Sequence, residues 1–127
     1  VRLVVEAFRE AGGEDKPVHL QQAVSWAPTD DEAMAAAREQ WAGAAVGGNL
    51  LYDLRRPADF DHAGSSVSDE TLGKAVLVTA DPGRVMARIE ELATLAPATV
   101  HLHQVGRNQA AFIERFGPLV ANLRAAA

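Results

Sequence analysis

A chain of 127 residues, 48% hydrophobic and 23% charged, has the composition of one small folded domain and is too short for two large ones. Its net charge of −5 argues against the basic surface of a general nucleic-acid-binding protein. The absence of cysteine excludes disulfides, thiol nucleophiles and thiolate metal sites. No apolar run approaches the ~20 residues of a membrane span. We therefore expect a soluble, cytoplasmic protein with neither a nucleic-acid nor a membrane partner.

An amphipathic helix opens the chain. Its apolar residues recur at helical spacing, and Gly12 with Gly13 ends the pattern. Because the sequence starts at Val1, inside this helix and without a methionine, we expect a truncated or processed piece. A strand is then predicted over residues 18–26, where apolar side chains occupy a strand-length run.

A capping box predicts the next helix. Thr29 is followed three residues later by a glutamate, and an alanine-rich helix should run over about 30–45. The segment 46–74 has no clean period, apart from short helical starts near Pro57 and Ser68. It is longer than a plain connection, so we predict an irregular insertion that covers a site.

Strands and helices then alternate regularly to the end of the chain. The predicted elements are a strand over 75–79, a helix over 81–95, a strand over 99–103, and a helix over 108–124 that Gly117 and Pro118 should break or kink. Apolar strands that alternate with amphipathic helices indicate an α/β fold with a parallel sheet under helical cover. Three strands would leave open edges, so we expect either a larger α/β body or completion by a second copy.

Several short stretches of the sequence, in this order, resemble the C-terminal part of the luciferase-like flavin and deazaflavin oxidoreductases. Within that family they are most similar to the probable non-deazaflavin, flavin-dependent branch. The stretches are residues 8–10, 12–13, 16–19, 25–29, 81–84, 101–109 and 112–117.

The resemblance implies a (β/α)8 barrel of which this chain forms the last three βα units, with 46–74 as the insertion before the seventh strand. It also implies FMN or F420 as cofactor, hydride transfer or oxygen activation on a small organic substrate (an oxidoreductase or monooxygenase), and a homodimer. The family's N-terminal strands supply most cofactor contacts and the usual catalytic residues. The resemblance therefore does not make this chain an enzyme by itself.

Three places at predicted strand ends are candidates for chemistry, because ligands of such barrels bind at the carboxyl ends of the strands. The turn Gly106-Arg107-Asn108 could bind a cofactor phosphate through backbone N–H groups and the guanidinium, or it could be a tight turn with an asparagine cap. The strand ending at Ser25 and Trp26 could line a substrate pocket, although a tryptophan there could equally fill the core.

His103 is the candidate catalytic residue, since an imidazole at a strand end can donate a proton to a substrate or a flavin carbonyl. A structural, hydrogen-bonded histidine is the alternative. His101 lies two residues earlier on the same face, but no third ligand is nearby in sequence, so no metal site is predicted. Two further functions remain open, a non-catalytic, self-associating α/β module and a phosphate-binding domain without redox activity.

Overall fold

The computed structural model describes residues 1–48 and 50–126. Asn49, which falls in the predicted insertion, lies outside the described residues, as does Ala127. In chain order the elements are α1 (Arg2–Phe8), a π-helical turn (Arg9–Gly13), β1 (His19–Trp26), α2 (Asp30–Trp41), a 3-10 turn (Ala42–Ala45), α3 (Leu50–Asp53), α4 (Pro57–Gly64), α5 (Asp69–Ala75), β2 (Leu77–Thr79), α6 (Pro82–Ala93), β3 (Thr99–Gln104) and α7 (Gln109–Ala126). No helix within these described ranges has both the length and the apolar content needed to cross a bilayer.

The three strands form one parallel sheet in the order β2-β1-β3. Six residues of β1, from His19 to Val24, are in register with all six of β3. Only three, from Val24 to Trp26, are in register with β2. The predicted α/β class, with parallel strands covered by helices, is confirmed.

The strand order differs from the order that a barrel requires. In a (β/α)8 barrel the strands are neighbours in chain order and one face of the sheet is turned to the barrel interior. Here β1 lies between β2 and β3, and helices pack against both faces. The structure therefore does not confirm the predicted barrel fragment. It is a three-layer α/β/α arrangement.

The α6–α7 face of the sheet, which carries Val24 and Trp26 of β1, holds an aromatic core. Phe112 and Phe116 of α7 pack with their ring centroids 4.4 Å apart, and the Trp26 ring meets the Phe116 ring edge-on at 5.6 Å. The remaining members of this core are Leu77, Val85, Ile89, Leu102 and Leu119. This layer fixes α6 and α7 against the centre of the sheet.

The α2–α5 face, which carries Ala23 and Ser25 of β1, holds a second core. Ala37 of α2 and Leu72 of α5 are wholly buried there. The other members of this cluster are Ala23, Met34, Trp41, Ala45, Val67, Val76, Val78 and Val105. The small side chains of the alanine-rich helix let α2 approach the sheet.

Charged side chains connect the layers at their ends. Arg9, after α1, donates to the carbonyl oxygens of Leu95 (2.7 Å) and Ala96 (3.0 Å) beyond the C-terminus of α6, where a cation complements the helix dipole. Arg88 of α6 donates to Gln22 Oε1 of β1 (2.8 Å) and to Glu91 Oε2 (2.6 Å). This hydrogen bond from Arg88 lowers the pKa of Glu91 below its usual value.

Most predicted boundaries hold to within two residues. The π-helical turn that follows α1 departs from helical geometry at Gly12, whose φ of +94° is the left-handed conformation that glycine favours. The capping box is present, because Thr29 Oγ1 accepts from the Glu32 N–H and Glu32 Oε2 accepts from the Thr29 N–H, both at 3.2 Å.

The predicted insertion contains three short helices, α3 to α5, and the helical starts predicted near Pro57 and Ser68 are those of α4 and α5. Two expectations need correction. The second strand is shorter than 75–79, because α5 continues to Ala75. The last helix is not broken at Gly117-Pro118 but runs through both residues. Pro118 and Glu114, whose carbonyl loses its helical partner, are both exposed, so water can bind that carbonyl.

Replacing Phe116, which is 2% exposed, tests the importance of the aromatic core. Phe116→Ala should lower the free energy of unfolding by about 3–5 kcal/mol, because it removes buried surface and leaves a cavity. Tyr52→Ala is the matched control, since Tyr52 is 87% exposed and its loss should change stability by less than about 0.5 kcal/mol. Urea unfolding followed by circular dichroism measures both. Equal effects would show that α7 does not pack as described.

Candidate functional site

Amide side chains join the carboxyl ends of β1 and β3. Gln104 Nε2 donates to the Trp26 carbonyl (2.9 Å), and Gln104 Oε1 accepts from the Trp26 N–H (3.0 Å). Asn108 Nδ2 donates to the same carbonyl (3.0 Å), and its Oδ1 accepts from Gln104 Nε2 (2.6 Å). Gln104 is only 3% exposed, so its polar atoms are satisfied within the protein. This amide network holds the turn after β3 against the end of β1.

Gly106 lies buried beneath the amide network. A Cβ atom at this position would lie 2.8 Å from Asn108 Oδ1 and 3.0 Å from Gln104 Nε2, closer than ordinary packing permits. Gln109 Nε2 also donates to the Gly106 carbonyl (2.6 Å) and to the Gln104 carbonyl (2.8 Å). Close approach of side chains thus explains the glycine. Its predicted contact with a cofactor stays a prediction.

Arg107 lies in the same turn, and its side chain extends into solvent. Its guanidinium lies 2.9 Å from Glu39 Oε1 of α2, and the two side chains are 77% and 59% exposed. An ion pair this exposed contributes about 0–1 kcal/mol, so a stronger anion can displace the glutamate. α7 begins two residues later, and the positive end of its dipole faces the turn. Arg107 and this helix end can together favour a negatively charged ligand.

His103 lies on the other side of β3, on the α2–α5 face. The Gln21 amide Nε2 lies 3.1 Å from His103 Nδ1. Trp41 of α2 meets the half-buried imidazole edge-on, with 5.0 Å between ring centroids. Side chains of β1 and α2 therefore hold the His103 ring in position. Its catalytic role stays a prediction.

His103 belongs to a polar area of the sheet that α2 leaves uncovered. Thr99 Oγ1 lies 2.7 Å from His19 Nδ1 and 3.1 Å from His101 Nε2, and these side chains are exposed. Among the described residues, no group of three or more histidine, aspartate or glutamate side chains is arranged to hold a metal ion. The imidazole groups of this area can donate and accept hydrogen bonds and can transfer protons.

Ser25 and Trp26, predicted to share a substrate pocket, lie on opposite faces of the sheet. The Ser25 hydroxyl is fully buried and donates to the Ala33 carbonyl (2.6 Å), which ties β1 to α2. The Trp26 indole packs in the aromatic core and donates its N–H to the Ala80 carbonyl (3.1 Å). Both side chains make structural contacts, and their predicted contact with a substrate stays a prediction.

The structure brings only some of the predicted residues together. Asn108 is joined to the backbone of Trp26, and Arg107 stands beside that junction. The polar contacts of His103 and Ser25 lead instead to the α2–α5 face. Sequence reasoning missed Gln104, which links the two strand ends, and Glu39, which pairs with Arg107. A glutamine that follows Val100 and Leu102 on the same face of the strand was the available signal for Gln104.

The described residues define an α/β domain of three parallel strands with a polar turn at their carboxyl ends. No protein-family model matches the chain. Over 76 residues, 60% of its length, the chain is 26% identical to an F420-dependent glucose-6-phosphate dehydrogenase of Intrasporangium calvum. The chain covers only 23% of that protein. The comparison is thus a distant similarity to part of an F420-dependent oxidoreductase.

Stability measurements can distinguish Asn108, which holds the turn in place, from Arg107, whose side chain is available to a ligand. Asn108→Ala should lower the free energy of unfolding by about 1–2 kcal/mol, because it removes two hydrogen bonds of a half-buried network. Arg107→Ala should change it by less than about 0.5 kcal/mol, because it removes only the exposed pair with Glu39. Guanidinium unfolding followed by tryptophan fluorescence gives both values. A larger loss for Arg107→Ala would contradict its assignment as an available side chain.

Proposed function

We propose that this chain is the C-terminal part of a luciferase-like, flavin- or deazaflavin-dependent oxidoreductase. The observation that carries the proposal is the distant similarity to an F420-dependent dehydrogenase, which runs through more than half of the chain. The parallel α/β sheet and the polar turn at its carboxyl edge support it, because α/β enzymes place their ligands at that edge.

In this proposal the turn Gly106-Arg107-Asn108 holds the cofactor's phosphate. FMN and F420 both carry a phosphate group, which a guanidinium and a helix N-terminus can bind. The amide network fixes the backbone of the turn, and Arg107, which pairs with the exposed Glu39, supplies the charge. When bound, the cofactor would supply hydride-transfer or oxygen-activating chemistry for a small organic substrate.

The described residues fit the phosphate end of such a cofactor better than its ring system. The Trp26 indole, whose backbone bonds to the turn, is already packed against Phe112 and Phe116. His103 could donate a hydrogen bond or a proton to a substrate on the α2–α5 face. The same proposal includes the (β/α)8 barrel of the luciferase-like family. In such a barrel the three strands would be neighbours in chain order, which differs from the order β2-β1-β3 described above.

Cofactor titration tests the proposal. The fluorescence of F420 and of FMN should change on binding and saturate in the micromolar range with one of them. Arg107→Ala should raise the Kd about tenfold, because a charge-assisted hydrogen bond to phosphate contributes about 1.5–3 kcal/mol. Arg55→Ala, which removes an exposed arginine before α4, should leave the Kd unchanged.

Competition with inorganic phosphate gives the matching control, because it should displace a cofactor held by its phosphate. If the folded chain shows no saturable binding of either cofactor up to about 1 mM, the proposed cofactor site in this chain is wrong. If phosphate displaces the cofactor equally well from the wild-type chain and from Arg107→Ala, and the Kd for the cofactor is the same in both, the cofactor's phosphate binds at a place other than Arg107. Saturable binding of phosphate alone would favour a phosphate-binding domain without redox activity.

A further inference from the structure

A polar pocket lies between the end of α2, the 3-10 turn that follows it, and α4. Its volume is about 330 Å³, which falls within the ~300–1,000 Å³ range of small-molecule sites. Its charged and polar side chains are those of Arg38, Glu39, Asp61 and Ser65. All its lining residues fall within 38–65, so the pocket does not depend on what adjoins the edges of the sheet.

The walls of this pocket are held in place by backbone packing and by an ion pair. A Cβ atom at Gly64 of α4 would lie only 2.8 Å from the backbone nitrogen of Gly43, so the two glycines bring α4 and the 3-10 turn into close contact. The Arg38 guanidinium donates to the Val67 carbonyl (3.0 Å) and pairs with the Asp69 carboxylate. The pocket therefore has a cation fixed at one wall.

Glu39 connects the pocket to Arg107. Its side chain lines the pocket, and its Oε1 lies 2.9 Å from the Arg107 guanidinium. A phosphate held by Arg107 would therefore lie beside the pocket, with the Glu39 carboxylate next to it. Because like charges repel, a simple anion that displaces this carboxylate gains less than it would at an arginine without a neighbouring acid.

The lining of the pocket fits hydroxyl groups better than it fits a cation or an anion. The Glu39 and Asp61 carboxylates accept hydrogen bonds, and the Arg38 guanidinium donates them. The Ser65 hydroxyl already donates to a backbone carbonyl (2.7 Å) and can still accept. A cation would be repelled by the guanidinium, and an anion by the two carboxylates. Each hydroxyl group both donates and accepts, so a chain that carries several of them can bond to all of these groups.

We propose that this pocket binds the polyhydroxylated chain of a ligand whose phosphate is held by Arg107, and that Glu39 selects such a ligand over a simple anion. The inference rests on the proposed function, because the ribityl chain beside the phosphate of FMN and of F420 is a chain of this kind. When the phosphate replaces Glu39 at the guanidinium, the displaced carboxylate accepts a hydrogen bond from a hydroxyl group of the ligand. Inorganic phosphate offers the carboxylate no such chain.

Isothermal titration calorimetry of the full chain tests this selection with ribitol 5-phosphate and inorganic phosphate. The wild-type chain should bind ribitol 5-phosphate about tenfold more tightly, because each charge-assisted hydrogen bond contributes about 1.5–3 kcal/mol. Glu39→Ala should lower the Kd for inorganic phosphate about two- to fivefold, because the competing carboxylate is gone. The same change should raise the Kd for ribitol 5-phosphate about tenfold. A merely structural role of Glu39 would move both Kd values in the same direction.

A second variant tests the pocket apart from the ion pair. Asp61→Ala should raise the Kd for ribitol 5-phosphate about threefold or more and leave that for inorganic phosphate unchanged, because Arg107 pairs with Glu39 of α2 and Asp61 lies on α4. Glu70→Ala is the matched control. It removes the carboxylate of another exposed ion pair, with Lys74 (2.7 Å), and should change neither Kd. Circular dichroism should be the same for all these exposed substitutions.

Arg107→Ala separates this inference from the proposed phosphate site. If it raises both Kd values while Glu39→Ala moves both in the same direction, the phosphate site stands and the selective role of Glu39 is wrong. Ribitol 5-phosphate that binds no more tightly than inorganic phosphate would overturn the inference in the same way. So would a Kd for FMN or F420 that Glu39→Ala leaves unchanged, because the ribityl chain would then lie outside the pocket. If Arg107→Ala changes neither Kd, the proposed phosphate site is itself wrong.

Discussion

The central position of β1 is the constraint on which the rest of the structure depends. Within the described sheet it is the strand that is hydrogen-bonded on both sides, and alternate residues of it anchor both helical layers. Val24, wholly buried, packs with α6 and α7, while the next residue, Ser25, bonds to α2. Gln104 completes the arrangement by bonding both backbone groups of Trp26. A change in the neighbours of β1 would alter the core and the candidate site together.

The local elements could be predicted from the sequence because their signals are local. The capping box at Thr29, the aspartate–proline start of α6 and Gly12 in the turn after α1 each act within one helical turn. The strand order could not be predicted in this way. Parallel strands connected by helices are compatible with several orders, and the six-residue register between β1 and β3 joins segments about 80 residues apart. Patterns within a short window carry no information on such pairing.

In the candidate site, too, the local structure could be predicted from the sequence but the contacts between distant segments could not. A strand-to-helix turn at 106–108 is visible in the sequence, since a glycine and an asparagine precede a long amphipathic helix. The roles within it depend on side chains from other elements, namely Gln104 at the end of β3 and Glu39 in α2. One part was predictable and was missed. Ser25 and Trp26 are adjacent in a strand, so alternation alone places their side chains on opposite faces.

The proposed cofactor site separates the residues that hold the turn from the residue that meets the ligand. Gln104 and Asn108 bond to the backbone of Trp26, so the position of the turn is set by the centre of the sheet. Arg107 stands outside this network in an exposed pair with Glu39. An anion could therefore replace Glu39 at the guanidinium without disturbing the hydrogen bonds that hold the turn.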